Sequence, residues 1–177
     1  MHGEELLLSP HCIMAIDPGM SGAVCVLGRG VFQVRRDFKS LVALAAAIKE
    51  LSPFADSASI EFVHSRPGEG SVSCFTFGRS AGVAFGALFS EGFGVVKPLD
   101  EVPPQTWQAY FRQHFHLQKQ APFVSCEIAA KILPMSSPCL SRVKDHNTAD
   151  SILIAAHRLM LGPLSMSRSL TKNLLSS

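Results

Sequence analysis

The chain has 177 residues, which is enough for one domain with a substantial core and too few for two sizeable ones. Hydrophobic residues make up 47% of it and charged residues 17%, and this composition excludes an intrinsically disordered chain. The formal net charge of +2 indicates no class of partner by itself. The longest apolar run that we identify, residues 41–48, ends at Lys49 and is far shorter than the roughly 18 residues that span a membrane, so we expect no membrane association.

The N-terminus and the cysteines bear on the compartment. Residues 1–5 contain His2, Glu4 and Glu5 and lack the basic start of a secretory signal, so no targeting address is readable. The five cysteines form no C-x-x-C pair and are odd in number, which is typical of reduced, buried thiols. We expect an intracellular protein that is not secreted, in a reducing compartment such as the cytoplasm with its nucleoid or an organelle nucleoid, and we expect no organic cofactor.

The first half of the chain predicts three short strands, a helix and a further strand. Glycine-containing turns separate the three strands, and the helix shows apolar positions at helical spacing before Ser52-Pro53 ends it. The fourth strand carries Glu61 in its interior. The predicted elements are, in order, strands at 12–18, 23–27 and 31–36, a helix at 40–51 and a strand at 58–63.

The second half begins with a loop at 64–73 that is rich in Gly, Ser and Pro, and continues mostly with helices. The first helix is dense in small residues, which predicts close approach to another backbone, either inside one subunit or in a second subunit. The predicted elements are a helix at 75–89, a strand at 94–99, a helix through Trp107 and Phe111, a helix at 119–133, a polar loop at 134–146 and a helix at 148–161.

This order of elements predicts an α/β fold, with a mixed five-stranded sheet and helices on both of its faces. We divide the chain into an N-terminal extension (1–11), one folded domain (12–162) and a flexible C-terminal tail (163–177). No internal repeat is visible.

Carboxylates stand where a core would not accept them without compensation. Asp17 ends one apolar strand, and Glu61 lies between Ile60 and Phe62 in another. A charged residue in a core strand is costly unless it is paired or bound to a metal. Acids gathered from separate elements repel one another unless a divalent cation holds them, and hard oxygen ligands select Mg²⁺ or Mn²⁺.

The segment KDHNTADSILIAAH adds two further acids, Asp145 and Asp150. Asn147 is a good N-cap residue, which would place Asp150 in the first helical turn, where an acid also favours the helix N-terminus without any metal. Asp145 reaches the same metal only if it belongs to the loop before the helix. If the helix begins earlier, His146 and Asp150 form the (i, i+4) pair instead.

The ordered motifs resemble those of the RuvC-type Holliday junction resolvases, in particular the phage and chloroplast-type branch. The resemblance covers residues 12–161 and is carried by the segments IDPGMSGAVCV, IEFV, SCFTFGRSAGVAFGAL, PPQTWQAYF and KDHNTADSILIAA. It implies an RNase H-like fold, a homodimer, and paired symmetric cuts in a four-way DNA junction. The products would carry 5′-phosphate and 3′-hydroxyl ends.

The resemblance also implies roles for individual residues. Asp17, Glu61, Asp145 and Asp150 match the metal-binding acids of the family, which hold two Mg²⁺ ions per active site, with Mn²⁺ able to substitute. Asp17 would be the bridging ligand. Lys119 is similar to a family lysine that contacts the scissile strand, and Lys119 or His146 would stabilise the charged transition state. His64 stands where some members place an aromatic side chain that stacks on junction bases.

Basic residues near the motifs are candidates for phosphate contacts, although any one such residue is more often simply a solvated charge. When the four acids are set aside, 16 basic residues face 10 acidic ones, a balance that suits a polyanion such as branched DNA. The DNA-binding candidates are His64, Arg66, Arg79, Lys119, Arg142 and Lys144.

Three alternatives stay open from the sequence. One is a branched nucleic-acid binding protein without nuclease activity, which the retention of all four acids argues against. Another is an ATPase of the actin and sugar-kinase group, whose phosphate loops resemble DPGMSG, but which needs two such domains. The last is a nuclease for another branched or hybrid substrate. The sequence leaves open the nucleotide preference at the cut, the helix that forms the dimer, and the source among bacterium, phage and organelle.

Overall fold

The computed structural model describes residues 3–19, 21–62, 68, 70–118 and 123–162. Its centre is one sheet of five strands, β1 (Ile13–Asp17), β2 (Ala23–Gly28), β3 (Val31–Arg36), β4 (Ser57–Glu61) and β5 (Leu99–Val102). Their order across the sheet is β3-β2-β1-β4-β5. β1 pairs antiparallel with β2 and parallel with β4, β2 pairs antiparallel with β3, and β4 pairs parallel with β5.

Helices cover both faces of this sheet, because the buried strands carry apolar side chains on both sides. The helices are α1 (Gly3–Leu7), α2 (Leu41–Leu51), α3 (Ser71–Ser90), α4 (Pro104–His114), α5 (Ser125–Ile132) and α6 (His146–Leu161). In β1, Ile13 and Ala15 point into the core under α1, α4, α5 and α6, whereas Met14 and Ile16 point into the core under α2 and α3. Short 3-10 turns follow at Ser52–Phe54, Pro134–Cys139 and Val143–Asp145.

The mixed five-stranded sheet with helices on both faces confirms the predicted fold class, but one strand was predicted wrongly. The fifth strand is Leu99–Val102, not 94–99. Gly92 and Gly94 adopt positive φ angles of 85° and 80°, and the backbone carbonyl of Gly92 accepts hydrogen bonds from three successive residues. Val95 and Val96, the residues that favoured a strand in the sequence, are exposed in this turn. The glycine conformations on either side prevent a strand here.

The last helix also begins earlier than predicted. α6 starts at His146, with Asp145 as its N-cap residue, so the prediction that Asn147 caps it is wrong. The side-chain amide of Asn147 instead donates to the backbone carbonyl and the hydroxyl of Ser21, at 3.0 and 2.9 Å. This contact ties the start of α6 to the turn that follows β1.

Helix α3 has an unusually exposed apolar surface. Its buried side chains are only Ser80, Ala84 and Leu88, which pack on the α2 side. On the other side, a Cβ added at any of its three glycines would meet no atom within 4 Å, so the expected close backbone neighbour does not lie within this chain's described residues. α3 is also a longer apolar segment than residues 41–48. Its length and composition would allow it to cross a membrane, but the core helices of soluble proteins can have the same length and composition.

Of the two predicted end segments, the structure describes most of the N-terminal one and none of the C-terminal one. Residues in the predicted N-terminal extension form α1, and Leu6 is fully buried in the core beneath α6. The backbone N–H groups of Arg29 and Gly30 donate to carbonyls of the same segment. The predicted tail, 163–177, lies outside the described residues. All five cysteines are free thiols, and Cys12 and Cys25 are buried, as expected.

Candidate active site

Two carboxylates end neighbouring strands of the sheet. Asp17 is the last residue of β1 and Glu61 the last residue of β4, and the two strands run parallel with Ile16 opposite Ile60. Both acids therefore emerge at the carboxyl edge of the sheet. Strand alternation places Asp17 on the same side as Ile13 and Ala15, which α6 covers.

Asp150 approaches this edge from α6. Because the helix begins at His146, Asp150 occupies its second turn and His146 lies one turn before it, the (i, i+4) pair that the sequence left as an alternative. Asp17, Glu61 and Asp150 line a single cleft of about 520 Å³. Its other lining residues are Gly19, Ser21, Val72, Ser73, Thr76, Phe77, Ser80 and Asn147.

The turn after β1 shapes the floor of this cleft. The backbone N–H of Gly19 donates to Oδ1 of Asp17 at 3.3 Å, and the N–H of Gly22 donates to the carbonyl of Gly19 at 2.9 Å. A Cβ on Gly22 would stand 2.1 Å from the backbone oxygen of Asp17. Only glycine fits at position 22, so the DPGMSG motif encodes a tight turn beside the carboxylate.

The charges in the cleft are costly as they stand. Burial raises the pKa of Asp17 to about 7, repulsion from Asp150 adds to this, and the Gly19 N–H and His146 oppose it. Burial likewise raises the pKa of Asp150 to about 6, against a hydrogen bond from Ser125 and the charge of His146. Asp17 is therefore only partly ionised at neutral pH, and a bound cation would favour the charged form of both carboxylates.

Two of the acids are held by side chains that sequence reasoning assigned no role. The indole Nε1 of Trp107, a fully buried residue, donates to Oε1 of Glu61 at 3.3 Å. Ser125 of α5 hydrogen-bonds Asp150. The signal for Trp107 was present, since a buried indole N–H needs an acceptor. No sequence signal pointed to Ser125.

Asp145 does not join the other three acids. Its Oδ2 accepts a hydrogen bond from the backbone N of Arg142 at 2.7 Å, and its Oδ1 accepts one from Nε of Arg142 at 2.8 Å. Arg36 reaches the same Oδ1 at 2.9 Å, and Asp145 is only 1% exposed. We expected Asp145 to complete a metal site, but two arginines occupy both of its oxygens and it lines no part of the cleft.

Two of the expected DNA-contacting residues belong to the same ionic cluster. Arg142 Nη2 lies 2.7 Å from one oxygen of Asp37, and Lys144 Nζ lies 3.0 Å from the other. Their charges are thus compensated within the chain, unlike that of Arg79, which is exposed and lies 5.9 Å from the Phe75 ring. The other three predicted contacts, His64, Arg66 and Lys119, lie outside the described residues.

The donor set of the cleft fits a divalent cation. Oδ1 of Asp150 is buried and has no hydrogen-bond partner among the described residues, although buried polar atoms are normally satisfied. Carboxylate oxygens are the ligands that Mg²⁺ and Mn²⁺ prefer. Among the described residues, no group of three His, Cys, Asp or Glu side chains stands close enough together to hold a metal ion as the side chains are arranged.

Comparison with solved structures identifies the fold. Thermus thermophilus RuvC superposes with a TM-score of 0.56 at 18% identity, covering 85% of this chain and 96% of that one. The same protein in complex with a Holliday junction substrate gives 0.61 at 16% identity, covering 85% and 94%. The yeast mitochondrial Holliday junction resolvase Ydc2 gives 0.54 at 13% identity, covering 86% and 78%.

Sequence comparison adds a relative. The chain is 32% identical over 120 residues to the chloroplastic Holliday junction resolvase MOC1 of Chlamydomonas reinhardtii. The match takes in 66% of this chain but only 13% of that protein. No family model matches the chain. The chain therefore has the fold of RuvC, and its sequence is similar to part of a chloroplastic Holliday junction resolvase.

Proposed function

We propose that the chain is a structure-selective endonuclease that resolves four-way DNA junctions by paired, symmetric cuts that require a divalent metal. The observation that carries this proposal is the cleft in which Asp17, Glu61 and Asp150 converge, with a buried, unpartnered oxygen on Asp150. Support comes from the fold, which matches that of a RuvC bound to a Holliday junction, and from the homology to a junction resolvase.

We propose Mg²⁺ as the ion, with Mn²⁺ able to replace it and two ions in each site. Asp17, Glu61 and Asp150 would hold the ions. When bound, the ions supply an activated water for attack on the phosphodiester and stabilise the leaving 3′-oxygen, which gives 5′-phosphate and 3′-hydroxyl ends.

The chain's own residues would prepare this reaction in three ways. Trp107 holds the Glu61 carboxylate in the cleft, and the Gly19 N–H orients that of Asp17. We propose that His146, exposed one turn before Asp150, stabilises the charged transition state. Lys119 remains a candidate for the same role. Asp145 would join the site only by leaving Arg36 and Arg142, so we propose it as a support of the α6 corner.

A homodimer would place two such sites on the two strands of a symmetric junction, and α3 is the helix that we propose for the interface. Phe75, Gly78, Gly82 and Phe89 recur at the spacing of a packing stripe, and this stripe faces solvent. The glycines allow a second α3 to approach closely. Because the first half of α3 also lines the cleft, a two-fold axis along the stripe would put one cleft on each side.

The DNA would reach the cleft by contacts to its phosphates and open bases. His64 and Arg66 lie in the segment between Glu61 and α3, the two features that border the cleft, and remain proposed contacts. Because Asp37 forms ion pairs with both Arg142 and Lys144, these two residues would contact DNA only with the charge that the pairing does not neutralise. The chloroplastic location of the relative supports the organelle nucleoid among the compartments considered.

The test is cleavage of a mobile four-way junction, compared with a flap and an RNA–DNA hybrid, over a titration of Mg²⁺. Asp17→Asn and Glu61→Gln should each lower cleavage by at least about a thousandfold, the scale of losing a transition-state interaction of about 4 kcal/mol, while junction binding survives. Near wild-type cleavage by either variant would refute the site. Equal or faster cleavage of the hybrid would refute the substrate, and binding without cleavage by the wild type would indicate a non-catalytic junction-binding protein.

A further inference from the structure

A second cleft adjoins the acidic one. It has a volume of about 280 Å³, lies between the start of α2 and the first half of α3, and is lined by Ser40, Leu41, Thr76 and Arg79. Thr76 also lines the acidic cleft, so the two clefts meet at this residue. We refer to the smaller one as the side cleft.

The side cleft carries an available positive charge. Arg79 is exposed, and its one interaction in the described part of the chain is with the ring of Phe75, which leaves its guanidinium N–H groups directed to solvent. No acidic residue occurs anywhere in α3, and none occurs in the first turn of α2. The side cleft is therefore a positive, acid-free surface directly beside a negative one.

The groove on the other side of α2 differs, although it has more basic residues. Arg35 and Arg36 line a cavity of about 370 Å³ there. Arg35 is bound to both oxygens of Glu50, at 2.6 and 3.2 Å, and Arg36 is bound to Asp145. These two arginines are already paired within the chain, and Asp37 and Glu50 line the same cavity beside Lys39, so this groove mixes acids with its basic residues, unlike the side cleft.

Hydroxyl groups complete the donor set of the side cleft. Oγ of Ser40 accepts a hydrogen bond from the backbone N of Ala43 at 3.1 Å, so its own O–H remains a donor. Thr76 adds a second hydroxyl at the junction with the acidic cleft. A guanidinium with two hydroxyls is the combination that proteins use to contact phosphate oxygens of nucleic acids.

We propose that the side cleft binds a backbone phosphate of the same DNA strand whose scissile phosphate lies at the acids. This inference rests on the proposed function and specifies how the strand is placed. The acids attract a phosphate only through a cation, whereas Arg79 binds one directly. A strand held at both points is fixed in register, so Arg79 helps to determine which bond lies at Asp17 and Asp150.

The test compares Arg79→Gln with Lys131→Gln, a matched loss of one exposed charge on α5, away from both clefts. Junction binding is measured in Ca²⁺ over a range of salt concentrations. Arg79→Gln should weaken binding about tenfold and reduce the slope of log K against log salt by about one unit, the value for one lost phosphate contact. Lys131→Gln should change neither quantity.

Neutral methylphosphonates, placed one at a time along the cut strand, then locate the contact. At one position the substitution should weaken wild-type binding about tenfold and Arg79→Gln binding less than twofold, because the contact is already lost. Thr76→Val should weaken binding at the same position. Titration with inorganic phosphate distinguishes a free anion: saturation of the side cleft at low millimolar phosphate, with no methylphosphonate effect, would overturn the assignment to DNA.

Three further results would count against the proposal. Equal behaviour of Arg79→Gln and Lys131→Gln, with normal wild-type binding, would overturn the side cleft alone. Dissociation of the Arg79→Gln protein into monomers would assign Arg79 to the α3 stripe instead. Failure of the wild-type chain to bind any junction, flap or hybrid would overturn the proposed function, and the side cleft with it.

Discussion

Arg142 encloses the carboxylate of Asp145, donating to one oxygen from its backbone N at 2.7 Å and to the other from Nε at 2.8 Å. Arg36, at the end of β3, reaches the same carboxylate from the opposite side. The ion pair between Arg36 and Asp145 therefore joins the short turn before α6 to β3, at the edge of the sheet. Because α6 carries His146 and Asp150, this ionic contact determines where those two side chains stand.

Replacement of Asp145 by Asn should destabilise the fold more than it affects metal binding. The change leaves Arg36 and Arg142 without their buried partner, and we expect a loss of about 2 to 3 kcal/mol, at the low end for a broken buried pair because both arginines retain access to water. Urea denaturation measures the loss. Calorimetric Mn²⁺ binding should change less than threefold, whereas Asp150→Asn, the control, should weaken it at least tenfold. Little loss of stability together with a large loss of Mn²⁺ binding in the Asp145→Asn protein would instead identify Asp145 as a metal ligand.

Stability without metal should fall as the pH rises. The pKa of Asp17 is raised to about 7 and that of Asp150 to about 6, so between pH 4 and 7 the folded chain retains protons that the unfolded chain has released. Each such proton lowers the free energy of unfolding by up to about 1.4 kcal/mol per pH unit. Urea denaturation in EDTA at pH 5, 6, 7 and 8 measures this slope.

The Asp17→Asn variant is the control for that titration. It should show a much smaller slope and exceed the wild type in stability above pH 7, because the costly charge is gone. Saturating Mg²⁺ should flatten the wild-type slope as well. Identical slopes for the wild type and Asp17→Asn in EDTA would show that the cleft does not raise the pKa of this carboxyl.

Trp107→Phe should slow cleavage without weakening junction binding. The substitution removes the indole N–H that lies 3.3 Å from Oε1 of Glu61, and loss of such a supporting hydrogen bond around metal ligands typically costs 10 to 100-fold in metal affinity or activity. We expect about a tenfold fall in kcat, partly recovered at high Mg²⁺, with KM unchanged. Phe111→Leu, in the same core, controls for lost packing. Equal falls in both variants would indicate a packing role alone.

Gly82→Leu should convert the proposed dimer into monomers. Position 82 faces open space within one chain, so leucine is accommodated in the folded subunit but blocks close approach of a second α3. Sedimentation velocity should show a monomer, and paired cleavage of a junction should give way to single nicks. Ser90→Leu adds similar bulk at the end of the same helix and should leave the dimer intact. A dimeric Gly82→Leu protein would direct the search to another surface.

The sequence by itself determined the parts of this protein that local chemistry encodes. Apolar patterns specified β1 to β4 and the existence of helices α2 to α6, although α1 lies in a segment predicted as an extension and α5 begins at Ser125 rather than 119. Acids in apolar strands specified Asp17 and Glu61. The glycines at 19 and 22 specified the tight turn beside Asp17. Local patterns misled where two signals competed, as at residues 94–99, where glycine geometry overcame the valines, and at Asn147, which suits an N-cap but bonds Ser21 instead.

Tertiary structure decided what depends on residues distant in sequence. Nothing near Asp145 along the chain reveals Arg36, which is 109 positions away and yet 2.9 Å distant. Likewise, Trp107 meets Glu61 across 46 positions, and Arg79 has no acidic partner among the described residues. Whether a carboxylate binds a metal or an arginine is set by which partner the fold brings within hydrogen-bonding distance, since both satisfy the same buried charge. The sequence supplied four candidate acids and left the place of Asp145 dependent on where the last helix begins. The folded chain separates three acids that share a cleft from one that holds the α6 corner in place.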